Sequence, residues 1–99
     1  MPITEQQRRK LKKLVHHLKP VVMIGHNGLS EGVLNEIDIA LDSHELIKVR
    51  LSGGDKDERK DMIESICAQT DADFIHSIGH VAALYRRHPK KPKISLGTE

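Results

Sequence analysis

Val21-Val22-Met23-Ile24-Gly25-His26-Asn27-Gly28-Leu29-Ser30 brings three kinds of sequence together in ten residues. Its first four side chains are all apolar, as in a short strand buried on both faces. Two glycines three apart then let the backbone turn tightly and come close to a ligand. Ser30 can cap a helix, and Val33, Leu34, Ile37, Ala40 and Leu41 follow at helical spacing, which predicts a helix through about Ser43. A helix N-terminus offers unpaired N–H groups and a partial positive charge, so a strand–glycine loop–helix junction favours an anion.

Upstream, Thr4 and Gln7 form a capping box, and Leu11, Leu14, Val15 and Leu18 recur at i, i+3, i+4, i+7. Residues 5–18 are therefore predicted as an amphipathic helix, with Arg9, Lys12, Lys13 and His16 opposite its apolar stripe. Lys19-Pro20 ends it, because the residue before a proline is pushed out of the helical region. Downstream, Leu46 to Leu51 alternates, with Ile47, Val49 and Leu51 on one face and Lys48 and Arg50 on the other. Ser52-Gly53-Gly54 breaks that strand, and Asp55 caps a third helix with Met62, Ile63, Ile66 and Cys67 inward. Phe74 to Ile78 and Val81 to Arg86 are predicted strands, joined at Gly79-His80 as a hairpin. The order helix-strand-helix-strand-helix-strand-strand implies an α+β fold. Strand–helix–strand units pair in parallel and the hairpin adds an antiparallel pair, giving one mixed four-stranded sheet packed by helices. From His88, prolines and lysines predict an extended, mobile tail over residues 88–99, overlapping the end of a single domain that spans residues 1–96.

The composition suits one soluble domain: 99 residues, 37% hydrophobic and 30% charged. No apolar run approaches the about 20 residues of a membrane span, and no secretory signal precedes Arg8, so a cytoplasmic protein is expected. A lone cysteine, Cys67, excludes an internal disulfide and suits a reducing compartment. The net charge of +2 hides a strong asymmetry. Residues 1–20 hold six Lys/Arg against Glu5, and residues 84–99 hold five against Glu99, whereas residues 21–83 hold five against twelve acids. Two basic ends around an acidic middle point to a polyanion partner.

The loop lacks the Gly-Lys-Ser/Thr of a Walker loop and the G-x-G-x-x-G of a dinucleotide site. Its spacing is G-x-x-G, which KH domains use to clamp nucleic-acid backbone. Four stretches extend the match: Lys19 to Ser30, His44-Glu45-Leu46-Ile47-Lys48-Val49, Ile78-Gly79-His80 and Leu84-Tyr85-Arg86-Arg87. In this order and spacing, over roughly residues 3–96, the chain resembles the CRM (chloroplast RNA splicing and ribosome maturation) domain family and its stand-alone YhbY-type bacterial branch. The resemblance implies a fold similar to the C-terminal domain of translation initiation factor 3. It also implies an RNA partner, namely ribosomal RNA in precursors of the large subunit. Carried over by residue, the RNA-contacting loop falls on Gly25, His26, Asn27 and Gly28. The basic surface beside it falls on Lys19, on Arg9, Lys12 and Lys13 of the first helix, and on Lys48, Arg50, Arg86 and Arg87. Many relatives carry Lys or Arg inside the loop, where this chain has His26 and Asn27. Backbone N–H groups and neighbouring cations must then supply more of the grip.

The reading expects no enzyme, cofactor, metal or small-molecule substrate, and a monomer. His16 and His17 are adjacent and point to different helix faces. Cys67 lies on an apolar stripe as a small core residue. The acids Asp55, Asp57, Glu58 and Asp61 suit the dipole at a helix start. Phe74 and Tyr85 are the only aromatics, too few for the stacking surfaces of RRM or OB domains, so backbone and shape recognition is expected. Two rival classes are a phosphate-binding enzyme, which lacks a Walker lysine and paired carboxylates near a nucleophile, and a protein-interaction module whose acidic middle meets a basic ribosomal protein.

Overall fold

The computed structural model describes residues 3–25 and 28–94. The elements run α1 (Glu5–Val15), β1 (Pro20–Ile24), α2 (Glu31–His44), β2 (Leu46–Leu51), α3 (Lys56–Thr70), β3 (Asp73–Ile78) and β4 (Val81–Tyr85). Each helix starts where a side chain caps it. Thr4 forms the capping box with Gln7, Ser30 accepts from the Val33 N–H, and Asp55 accepts from the Glu58 N–H. α1 ends at Val15, three residues short of the predicted Leu18. The His17 and Leu18 N–H groups reach back three residues, to Leu14 and Val15, and tighten the chain so that β1 can begin at Pro20. Leu18 still packs inward. α2 and α3 leave through residues with positive φ that are not glycine, Glu45 at +63° and Asp71 at +62°.

The strands form one mixed sheet in the order β1-β2-β4-β3. β1 and β2 are parallel, with Met23 beside Arg50 and Ile24 beside Leu51, while β4 lies antiparallel between β2 and β3. Helices cover the two faces unequally. α2 and α3 bury Val22, Ile24, Ile47, Val49, Leu51, Ala82 and Leu84 against Ile37, Leu41 and Ile66. On the other face α1 brings Leu11 and Val15 onto Leu46, Ile75, Ala83 and Tyr85. α1 is too short to cover that whole face, so Val21, Met23 and Ile78 are 50%, 66% and 65% exposed. β2 shows the result within one alternation: Leu46 is buried, Lys48 half-buried and Arg50 exposed.

Residues 88–94 are fastened to the domain by one buried carboxylate. Glu45, fully buried, accepts the His88 N–H at 2.7 Å on one oxygen, and the Lys93 and Ile94 N–H groups at 2.5 and 2.7 Å on the other. Ile94 then reaches the core beneath α1. No helix among the described residues is long and apolar enough to cross a membrane.

Candidate nucleic-acid interface

Gly25 follows β1 directly, and its carbonyl accepts the Gly28 N–H at 3.1 Å, closing a tight turn. The two glycines answer different needs. Gly28 sits at φ +71°, where an L side chain is strained. Gly25 has no such φ, and a Cβ added there would meet nothing within 4 Å. His26 and Asn27, the inner residues of the loop, lie outside the described residues. Leu29 and Ser30 separate Gly28 from α2, and Ser30 takes the Val33 N–H. That helix terminus therefore offers one fewer free donor than the bare junction suggests.

The loop shares its end of the sheet with the Ser52–Gly54 and Gly79-His80 turns. The Ser52 N–H donates to Ile24, the Leu51 N–H donates to His80, and the His80 Nδ1 donates back to the Leu51 carbonyl at 3.1 Å. The start of α3, with Asp55, Asp57 and Glu58, also lies at this end, and Met62 of α3 lies under Gly28. Acids on that side leave the α1 side as the path for a polyanion.

Lys48 and Arg50 project toward the α1 face. The Lys48 Nζ donates to the Leu18 carbonyl at 3.0 Å, which holds the stem across the start of β1, while Arg50 is exposed. Lys19, Arg9, Lys12 and Lys13 are exposed on or just after α1. Arg8, in contrast, donates to the Phe74 and Ile75 carbonyls on the edge of β3. α1 carries five Lys/Arg against Glu5, and Lys19, Lys48 and Arg50 extend that layer. Across the sheet, α2 and α3 carry eight acids against three bases. The sign asymmetry along the chain thus becomes an asymmetry across the sheet.

Arg86 and Arg87 are not brought to the loop. They follow β4 beyond Tyr85, which pairs with Leu46, whereas the loop lies past Leu51 at the other end of β2. That separation is about 17 Å at the usual rise of a strand. Arg86 is moreover committed elsewhere. Its guanidinium donates to Asp38 at 2.6 Å, Asp42 at 2.8 Å and the Thr70 carbonyl at 2.8 Å. Burial pulls its pKa down, but the hydrogen bonds and charges of Asp38 and Asp42 outweigh that and leave it raised. Arg87 is exposed.

Burial first, then the charge of Asp73, pushes the Cys67 thiol pKa up, which disfavours a reactive thiolate. Tyr85 is buried beneath α1 and has no open ring face for a base. His76 and His80 have the His-x3-His spacing, but they flank a β-turn instead of sharing a helix face. No group of three His, Cys, Asp or Glu suited to a metal gathers among the described residues. Sequence reasoning passed over His76, which β3 turns toward the α1 face; its place opposite Ala83 could have been read from hairpin register.

The family model of the CRS1 / YhbY (CRM) domain matches residues 3–86. A probable RNA-binding protein of Pseudomonas aeruginosa is 45% identical over 94% of this chain and 89% of its own length. An RNA-binding protein of Haemophilus influenzae is 49% identical over 85% of both chains. The solution structure of a hypothetical protein from Staphylococcus aureus aligns with a TM-score of 0.79 at 29% identity, covering 95% of this chain and all of that one.

Proposed function

Because this chain belongs to the CRS1 / YhbY (CRM) domain family, we propose that it is an RNA-binding, non-catalytic ribosome assembly factor that holds ribosomal RNA in precursors of the large subunit. The observation that carries the reading is the separation of charge across the sheet. A cationic layer of α1, Lys19, Lys48 and Arg50 lies along one face of the sheet, with Arg50 at the end nearest the glycine turn and Lys19 and α1 toward the other end, and the acids of α2 and α3 are held on the far side. A polyanion approaching from the α1 side meets attraction without the opposing field. Gly25 supports the same reading, since the open space beside its Cα leaves room for a phosphate to approach the backbone. Arg86 is left out of the contacting set because its donors are already engaged. In this reading the protein acts in the cytoplasm as a monomer, one domain over residues 1–96 with a basic extension at residues 88–99.

Titration with structured ribosomal-RNA fragments at several salt concentrations tests it. Each neutralised phosphate contributes a log–log slope of about −0.7 to −0.9, so four to six contacts give roughly −3 to −5. A flat salt response overturns the electrostatic reading. Replacing His26 and Asn27 together by Asp puts two negative charges in the loop, and RNA affinity should fall at least about tenfold. Parental affinity in that variant would remove the loop from the interface. The rival reading draws on the acidic α2–α3 layer as a surface for a basic ribosomal protein. Nuclease treatment separates the two, because a protein-held association with the particle survives loss of RNA.

A further inference from the structure

The face of the sheet that α1 leaves open is more than a gap in its cover. Between the C-terminal end of α1 and the Gly25 loop lies a hollow of about 240 Å³. Val81 and Ala83 of β4 form its floor, and His16, His76, Ile78 and Lys48 stand around it. The exposed side chains of Met23 and Arg50 lie on the same face toward the loop. None of the residues that line the hollow is acidic. We propose that this hollow seats an unpaired RNA base while the cations around it hold the flanking phosphates; the proposal rests on the RNA-binding reading above and adds a site for bases to it.

The chemistry of the walls carries the assignment. A base has two apolar faces and a polar edge, and it stacks on imidazole rings and guanidinium planes as well as on larger aromatics. Two histidines from distant parts of the chain, one at the C-cap of α1 and one in β3, are brought to the same hollow. Together they do the work that the two chain aromatics cannot. Charge complementarity selects the occupant, since Lys48 lines the apolar floor, Arg50 pairs with Val81 at its edge and Lys19 precedes Pro20. A larger hollow of about 1120 Å³ lies between α3 and the β3–β4 hairpin, but it mixes Asp57, Glu64 and Asp73 with Lys56, Arg59 and Lys60. It lacks the single sign that a polyanion requires. The path from Gly25 to Pro20 along β1 is about 17 Å, so a strand leaving the loop toward α1 crosses the hollow.

Binding of oligoadenylate, of a hairpin RNA with an unpaired loop and of a blunt RNA duplex, compared at one salt concentration, tests the proposal. The wild-type protein should prefer the RNAs with unpaired bases. His76→Ala and His16→Ala should each reduce that preference about tenfold, with duplex affinity and salt slope unchanged, because stacking carries no charge. His76 is half-buried, so Ile78→Ser, at a largely exposed position, serves as a second variant that folds independently of that ring. Oligoadenylate should also shift the methyl resonances of Met23 and Ile78 by ring current. Equal wild-type affinity for all three RNAs, or variants that keep the preference, overturns the base seat and leaves backbone binding standing. Failure of the wild-type protein to bind any of the three overturns the RNA-binding reading and the base seat together.

Discussion

Gly28 occupies a backbone conformation that L side chains enter at a cost of about 1–2 kcal/mol, and Gly25 does not. Gly28→Ala should therefore lower unfolding stability by about 1 kcal/mol. Gly25→Ala should leave it within about 0.5 kcal/mol, because its Cβ meets nothing. If phosphate approaches the backbone at Gly25, the same methyl group should weaken RNA binding several-fold in a protein that melts normally. Parental affinity in Gly25→Ala would show that only the turn matters. Glu45 is a second residue whose role is local and testable. Its carboxylate accepts three backbone N–H groups in the interior, and Glu45→Ala leaves all three without their acceptor. The expected loss is about 3 kcal/mol by chemical denaturation. Amide exchange at His88, Lys93 and Ile94 should quicken in the same variant even in the native state. Unchanged exchange would mean that residues 88–94 hold their place by other contacts.

At the scale of elements, the two arginines that look alike in sequence separate. Arg86 joins the end of β4 to Asp38 and Asp42 on α2 and to the last turn of α3, and its side chain is only 19% exposed. Arg50 stands exposed on β2. Arg86→Ala should lower stability by about 2 kcal/mol, a figure already reduced because both aspartates are half exposed to solvent, and should leave RNA affinity within about twofold. Arg50→Ala should do the reverse, leaving stability within about 0.5 kcal/mol and reducing the salt slope by about 1. Equilibrium unfolding and salt titration of both variants measure the exchange. A large loss of RNA affinity in Arg86→Ala with an intact fold would put the interface at the other end of the sheet.

For the whole molecule the governing fact is the division of charge between layers. Replacing Arg9, Lys12 and Lys13 by Glu reverses the exposed side of α1 without touching Leu11 or Val15, which anchor it. RNA affinity should fall by about two orders of magnitude or more, since three favourable phosphate contacts become repulsive. Replacing Glu36 and Glu64 by Lys on the opposite layer should change it by no more than about threefold. Binding at one fixed salt concentration, with circular dichroism to verify the fold, compares the pair. A gain from the second set as large as the loss from the first would mean that net charge, and not its placement, governs association.

Local signals in the sequence were sufficient for the elements and their caps. Thr4, Ser30 and Asp55 cap the helices in which they were read, and the alternation from Leu46 to Leu51 is the strand it predicts. Such signals work because caps, turns and periodicity depend on neighbours within a few residues. The mixed sheet followed from the order of those elements, and the glycine turn from its spacing. What the sequence could not decide is which element covers which part of which face. Alternation shows that Leu46, Lys48 and Arg50 share a side, but only the length and docking of α1 bury the first and leave the last in solvent. Arg86 reads as one more basic residue until its partners, 44 and 48 positions away, come into contact. The same holds for Glu45, an exposed-looking acid between a helix and a strand, and for the hollow that unites His16 with His76. Each depends on contacts between distant parts of the chain, which exist only once the sheet has closed and the helices have docked on it.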